Sequence, residues 1–298
     1  MGMLRMNRII MYAGIGLMLL AMLASIIYCY LIRLKEPVFL RNCIEAEALS
    51  NQQGNNNAVF QLQYITNHTD KRTVCGVSFA DVPEMEFIAS ETIDNGFFHF
   101  LNSNSEQELG SSMGRYSLRT VYIIQGTGFR EEWKGEKELG KATFQFTDGS
   151  KIAADVGRII LYSDPPIPNV LSSNMSSSSS NFTSSVSYSV RENITLEAVT
   201  SPLQKDFPEF LTLKLDGINY NAVSGRKYKL GESLSISSAF HNLPQKESEY
   251  DVYDLRPKLT YRNANTTLGF IRIYNLNWQC RLSDFKDALH YLRQRGVI

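Results

Sequence analysis

The longest hydrophobic stretch of the chain lies close to its N-terminus. Residues 9–32 read IIMYAGIGLMLLAMLASIIYCYLI and contain no charged residue. An α-helix of this length measures about 36 Å, which is enough to cross a hydrocarbon core of about 30 Å. The pattern predicts a transmembrane anchor over residues 9–32, inserted in a lipid bilayer, with a short head formed by residues 1–8.

A cleaved signal peptide is the alternative interpretation of this stretch. Its apolar region would have about 7–15 residues and would end at an A-x-A-like site. Met22 and Ala24 fit such a site poorly, and the apolar sequence continues past them, so an uncleaved anchor is favoured. Basic residues flank the stretch on both sides. The short head before a long body favours a single-pass protein of the cell membrane, with a cytoplasmic N-terminus and an extracytoplasmic body.

Beyond Pro37, hydrophobic and polar residues alternate in short segments, a pattern typical of antiparallel β-strands. In residues 58–66, AVFQLQYIT, the side chains of Phe60, Leu62 and Tyr64 share one side and are predicted to face the core. The dipeptide Asp148-Gly149 separates two alternating runs and predicts a hairpin with a two-residue type I′ turn. Residues 37–163 are predicted to form a first β-sandwich module.

The next segment, residues 164–183, combines three prolines with an Asn/Ser-rich tract that lacks an apolar period. This composition predicts a Pro/Ser-rich linker, with a long surface loop as the alternative. Alternating segments resume in residues 184–298, the predicted second β-sandwich module, where Asp216-Gly217 offers another hairpin turn.

An amphipathic pattern over residues 284–295 predicts a short C-terminal helix, capped by Ser283 and ended by Gly296. We expect this helix to pack on the second module. The predicted fold is therefore mainly β: a single N-terminal transmembrane helix, two β-sandwich modules of immunoglobulin-like size and a C-terminal α-helix.

The charge balance narrows the choice of partners. The chain has 30 Lys+Arg and 30 Asp+Glu, and this zero net charge argues against a nucleic-acid binder. Four cysteines are too few for a disulfide scaffold. With Cys29 inside the predicted span, Cys43–Cys75 is the pair expected if one bridge forms, and unpaired core thiols are the alternative.

Five N-x-S/T sequons are present, close to the roughly 3 that composition gives by chance. They begin at Asn67, Asn174, Asn181, Asn193 and Asn265.

Motifs that carry catalysis are missing from the sequence. None of the four histidines lies within four residues of another histidine or of a cysteine, so no zinc-ligand spacing occurs. Gly-rich phosphate loops and nucleophile elbows are absent as well. We therefore predict no catalytic, metal-binding or cofactor-binding residue, and no cofactor.

One segment resembles a ligand-binding surface by composition. In REEWKGEKELG, residues 130–140, the carboxylates of Glu131, Glu132 and Glu136 surround Trp133. An aromatic ring beside carboxylates is typical of a carbohydrate subsite. Three lysines in and beside the segment favour the simpler interpretation, a charge-balanced loop with one anchoring tryptophan.

These observations favour a non-enzymatic surface protein that binds another protein or an envelope polymer, or that holds a partner near the membrane. Two alternatives stay open. One is a surface carbohydrate-active enzyme that uses carboxylates in the range Glu131–Glu138. The other is a single-pass subunit or sensor of a membrane complex, in which Gly14, Gly16 and nearby small residues of the span contact another helix.

Overall fold

The computed structural model describes residues 2–48, 59–92, 110–126, 135–165, 170–206, 211–241, 250–278 and 282–298. Helix α1 comprises Gly2–Leu31. Its section Met11–Leu31 is long and apolar enough to cross a membrane, and its most apolar stretch of 18 residues is not buried against the described residues, properties that a signal sequence shares. The predicted N-terminal apolar helix is confirmed.

The first block, residues 37–165, contains nine strands among its described residues. They are β1 Val38–Phe39, β2 Asn42–Glu47, β3 Phe60–Asn67, β4 Val74–Phe79, β5 Phe87–Ser90, β6 Ser111–Met113, β7 Tyr116–Gln125, β8 Gly135–Phe146 and β9 Lys151–Ser163.

The second block, residues 170–278, contains eleven strands among its described residues, and helix α2 follows it. The elements are β10 Leu171–Ser178, β11 Thr183–Val190, β12 Ile194–Thr200, β13 Leu211–Leu215, β14 Ile218–Asn219, β15 Lys227–Tyr228, β16 Ser233–Phe240, β17 Val252–Leu255, β18 Lys258–Asn263, β19 Leu268–Arg272, β20 Leu276–Trp278 and α2 Phe285–Gln294. The prediction of a mainly β chain with a short C-terminal helix is confirmed.

The described strands form three sheets. The largest has the order β1-β3-β7-β5-β4-β8-β9-β2-β17-β20, with β6 paired to β7. The other two have the orders β10-β11-β16-β13-β14 and β15-β12-β18-β19. Strands β17 and β20 of the second block thus extend the sheet of the first block, because β17 pairs in parallel with β2. The division into two modules stays a prediction, and the two blocks share one sheet.

Strand β3 shows why the alternating pattern was informative. Phe60, Leu62 and Tyr64 are buried, as predicted, in the core that the first block builds. Ile65, on the opposite side of the strand, is fully buried as well. It belongs to a separate cluster, which also contains residues of α2.

Both predicted hairpins form, and their turns differ. At Asp216-Gly217 both residues have positive φ, 44° and 78°, as a type I′ turn requires. Between β8 and β9 only Gly149 has positive φ, and the amide of Phe146 donates to the carbonyl of Ser150. The predicted type I′ turn is wrong there, because the Asp148 carboxylate accepts from the amide of Ser150 and stabilises a longer loop.

Within the predicted linker the structure contains strand β10. Its residues from Leu171 to Ser178 pair antiparallel with β11, with a shift of register at Asn174. From Asn174 to Ser178 both sides of this strand are exposed, so no alternation of apolar residues marks it in the sequence. Residues 171–178 therefore form a paired strand and not a flexible tract.

Helix α2 packs against both blocks: Tyr291 lies 5.7 Å, between ring centroids, from Tyr250 of the second block, and Phe285 packs on the first block, where the prediction placed no contact. Phe285 stacks on Tyr116 with ring centroids 5.6 Å apart and an interplanar angle of 16°. The helix reaches this position because β20 has already crossed into the sheet of the first block. Asp284 rather than Ser283 is the N-cap, and its side chain accepts from two backbone amides. Gly296 follows the helix with φ of 65°, in agreement with the predicted stop.

A third cluster, here called the joint core, surrounds the point where α1 enters the body. Its buried residues are Leu34, Leu40, Ile65, Met113, Tyr116, Leu282, Ala288, Tyr291 and Leu292. Ile32, one residue after α1, is also buried, and its carbonyl accepts a 2.5 Å hydrogen bond from the Tyr116 hydroxyl. The Asn67 side chain holds both the amide and the carbonyl of Leu34, at 3.1 and 2.7 Å. Residues 32–34, which join the apolar helix to the β body, are therefore held by packing and by hydrogen bonds.

The expected Cys43–Cys75 bridge is not formed. Cys75 is an exposed free thiol on β4, whose sulfur lies 3.5 Å from the carbonyl oxygen of Gln145. Cys43 is buried on β2, and Cys280 lies outside the described residues. The alternative of unpaired core thiols does not describe Cys75 either, since its side chain is at the surface.

Candidate functional site

The structure describes one of the four residues predicted as ligand contacts. Glu136 lies on β8, while Glu131, Glu132 and Trp133 lie outside the described residues. Glu136 accepts from Lys258 at 3.2 Å and from the Arg272 guanidinium at 3.4 Å. Its carboxylate is thus part of a larger group of charges.

This group, the junction cluster, consists of Glu45, Glu136, Asp164, Lys258 and Arg272. Arg272, at the end of β19, is only 5 % exposed. Its Nε donates to Asp164 at 2.8 Å, and its Nη1 donates to the carbonyl of Arg256 at 2.8 Å. The Lys258 ammonium lies 3.0 Å from the other oxygen of Asp164. Each cation of the cluster therefore contacts more than one acceptor.

Glu45 is the most deeply buried member, with no exposed surface. Its carboxylate accepts from the Ser201 hydroxyl at 2.9 Å and from the Arg256 amide at 2.6 Å, and Arg272 lies 3.7 Å away. Burial raises the pKa of Glu45, although these hydrogen bonds and Arg272 oppose that effect. The cluster holds this carboxyl group in place rather than exposing it to a ligand.

Asp164 behaves in the opposite way. Burial by itself would raise its pKa, but hydrogen bonds from Arg272 and Lys258 outweigh burial and lower the pKa below its usual value. Asp164 is therefore ionised at neutral pH and paired with cations.

The two signs of charge come from different blocks. Glu45, Glu136 and Asp164 belong to the first block, on β2, on β8 and after β9, whereas Lys258 and Arg272 belong to the second block. Opposite charges that meet across a boundary fix the relative position of the two surfaces. The junction cluster is therefore an electrostatic contact between the blocks.

A cleft of about 700 Å³ opens beside this contact. Its aromatic lining includes Tyr162, Tyr188 and Tyr274, and Asp164 and Arg272 form part of its wall. The Arg272 guanidinium lies 3.7 Å from the centroid of the Tyr162 ring, which is itself almost fully buried. Tyr274 is 47 % exposed, so its ring presents a face to solvent.

The rest of the lining mixes polar and apolar residues. Ser173 and Ser176 of β10, Asn275 and Glu47 add hydroxyl, amide and carboxylate groups. Aromatic faces beside hydrogen-bonding side chains suit a polar, extended ligand, which stacks and hydrogen-bonds at the same time. Asp164, in the wall of the cleft, is engaged by Arg272 and Lys258.

Sequence reasoning missed most of this site. Glu45 lies inside the otherwise largely apolar NCIEAEA segment, and Arg272 lies inside FIRIY. A charged residue within a largely apolar strand signals a buried partner, but the partner is more than 200 residues away in the chain. Within the described part of the chain, no group of three or more His, Cys, Asp or Glu residues could hold a metal ion.

No protein-family model matches the sequence, and no curated protein matches it. The solved structures that match the chain include the Escherichia coli chaperone DraB, with 9 % identity and a TM-score of 0.23 over 80 % of this chain and 95 % of that one. The Pseudomonas aeruginosa CupB2 chaperone has 6 % identity and a TM-score of 0.20 over 80 % and 100 % of the two chains. Fibronectin(III)-like modules of Clostridium thermocellum CbhA have 13 % identity and a TM-score of 0.20 over 83 % and 97 %.

Proposed function

We propose that the chain is a single-pass membrane protein whose extracytoplasmic β body has a non-enzymatic binding or structural role at the cell surface. The observation that carries this proposal is the joint between α1 and the body. A protein that only needs a tether can use a flexible polar linker after its span. Here Ile32 and Leu34 are buried directly after the helix, so the span and the body move together.

Such a joint makes the anchor a positioning device. Asn67 and Tyr116 hold the backbone of residues 32–34 by hydrogen bonds, and α2 packs beside them in the joint core. A bilayer that fixes α1 then also fixes the direction in which the body faces. A partner bound to the body is held at a set distance and angle from the membrane.

The cleft between the blocks is the proposed contact surface for that partner. The exposed ring of Tyr274 and the hydroxyl and amide groups of the lining suit an extended polar chain, either a protein segment or an envelope polymer. The junction cluster fixes the walls of the cleft, so a ligand meets a preformed surface.

Location can be tested with Cys75, whose thiol is exposed in the folded protein. We expect a membrane-impermeant maleimide to label Cys75 in intact cells, and the Cys75→Ser variant to lose that signal. In a parallel fractionation of the same cells, we expect the chain to stay in the membrane fraction after alkaline extraction. Labelling only in permeabilised cells would place the body in the cytoplasm and overturn the proposal.

A further inference from the structure

A second cavity, of about 630 Å³, lies where α1 ends. Its lining starts at Leu31, the last residue of the apolar section Met11–Leu31, and continues with Arg33 and Lys35. Arg295, which ends α2, lines it as well. The cavity therefore combines the end of the candidate span with three cationic side chains.

These three cations form no ion pair with any described residue. Arg295 is the most enclosed of them: its Nη1 is buried and has no hydrogen-bond partner among the described residues. Its guanidinium lies 5.9 Å from the centroid of the Tyr291 ring. A buried charged donor without an acceptor is destabilising, so an anion that reached Arg295 would bind favourably.

Carboxylates also line the cavity and limit what it can accept. Glu36 and Asp155 lie on its wall, and one oxygen of Asp155 accepts from the amide of Gly157 at 3.0 Å. Three cationic side chains face two acidic side chains and the main-chain carboxylate of Ile298, which also lines the cavity, so the charges of the lining balance. A single anionic group fits this balance better than a highly charged ligand does.

The position of the cavity selects the kind of anion. The phosphates of a bilayer lie just outside its hydrocarbon core, at the level where a transmembrane helix ends. Lipid phosphates at that level attract basic side chains, and the planar guanidinium of arginine matches the geometry of a phosphate. Leu31 on the same lining would contact the first part of an acyl chain.

We propose that this cavity binds the phosphate of a phospholipid headgroup through Arg33, Lys35 and Arg295. The inference rests on the proposed function, because only a chain held in a bilayer has such a lipid beside it. A bound headgroup would fix the depth of the joint core relative to the membrane surface.

The test uses the full chain in a non-ionic detergent, titrated with short-chain phosphatidylglycerol and followed by native mass spectrometry. We expect phosphatidylglycerol to bind at least about tenfold more tightly than a diacylglycerol with the same chains, which corresponds to about 1.4 kcal/mol. The double variant Arg33→Gln/Arg295→Gln should lose at least about tenfold in affinity. Arg293→Gln is the matched control, since Arg293 is an exposed residue of α2 outside the lining.

Several results would contradict the proposal that this cavity binds a lipid phosphate. Equal binding by the double variant and the wild type would do so, and so would equal affinities for phosphatidylglycerol and diacylglycerol. If inorganic phosphate bound as tightly as the lipid, the cavity would be a site for free phosphate, and the proposal of a lipid ligand would be wrong. Lys35→Gln, a change at an exposed residue, replaces the double variant if thermal unfolding shows that the latter is misfolded.

The titration in detergent does not depend on where the chain resides in cells. If the chain were absent from the membrane fraction, both the proposed function and the proposal that the ligand is a membrane lipid would be wrong. The titration would still show whether the cavity prefers a phosphate group. A chain that fractionates with membranes and shows no phosphate preference would defeat the cavity proposal alone.

Discussion

Arg272 illustrates how one residue can join distant parts of a chain. Its guanidinium donates to Asp164 and to the carbonyl of Arg256, and it stacks on Tyr162. Removal of one partner from a buried ion pair leaves the other charges without compensation, which is more damaging than loss of an exposed pair. The stability of the block junction therefore depends strongly on this side chain.

We expect Arg272→Met to lower the free energy of unfolding by about 3–5 kcal/mol at pH 7. The matched control is Arg262→Met, because Arg262 pairs with Glu197 at an exposed surface, where the loss should stay below about 1 kcal/mol. Urea unfolding at pH 7 measures both values. A loss for Arg272→Met no larger than the control would show that the junction cluster does not hold the blocks.

The loss of unfolding free energy caused by Arg272→Met should also depend on pH. Asp164 has a lowered pKa in the folded protein, so its stabilising contribution is present at pH 7 and is lost as the pH falls through that value. Glu45 has a raised pKa, so it becomes neutral on acidification and then no longer needs a cation. Because pH 4 lies above the lowered pKa of Asp164, the contribution of Asp164 is still present there. The neutralisation of Glu45 alone predicts a smaller difference between variant and wild type at pH 4 than at pH 7.

At the scale of elements, the strands that alternate clearly were predictable and the others were not. β3 was predicted with its core face because Phe60, Leu62 and Tyr64 alternate with polar residues. β10 was missed because a strand exposed on both sides over most of its length has no hydrophobic period. The contact of α2 with the first block was missed because an amphipathic pattern shows that a helix packs, but not which surface it packs on.

The joint of α1 and the body depends on Asn67, the first residue of a sequon. Its side-chain amide both accepts from and donates to the backbone of Leu34. Loss of two partly buried hydrogen bonds should lower stability by about 1–3 kcal/mol, with most of the effect local to the joint.

We therefore expect Asn67→Ala to accelerate hydrogen exchange across residues 32–40, and most clearly at the amide of Leu34. Asn265→Ala, at an exposed sequon in the turn after β18, should leave these residues unchanged. Hydrogen exchange followed by mass spectrometry resolves the two regions. Unaltered exchange in Asn67→Ala would mean that packing alone fixes the joint.

At the scale of the whole molecule, the sequence showed the class of fold but not how its parts are connected. The apolar helix and the β content follow from local patterns in the chain. The shared sheet depends on the parallel pairing of β2 with β17, which joins residues near position 43 to residues near position 253. The cleft is likewise built from widely separated segments, so neither its tyrosines nor Arg272 could be grouped from spacing in the sequence.

This connection predicts that the two blocks unfold together. β17 and β20 complete the sheet of the first block while their side chains Tyr253, Leu255 and Trp278 lie in the core of the second. One block cannot unfold without exposing apolar surface and charges of the other. Two independent modules joined by a flexible linker would instead unfold in separate transitions.

Two probes on one sample can decide between these outcomes. In a Trp133→Phe background, Trp278 fluorescence reports on the second-block core. Pulsed hydrogen exchange of β3 and β7 reports on the first block. We expect both probes to follow one transition in urea, with the same midpoint and the same slope, because the shared sheet and the junction cluster make the unfolding cooperative. Separate midpoints would show that the parallel pair β2–β17 and Arg272 contribute too little to couple the blocks, and that the walls of the cleft move independently.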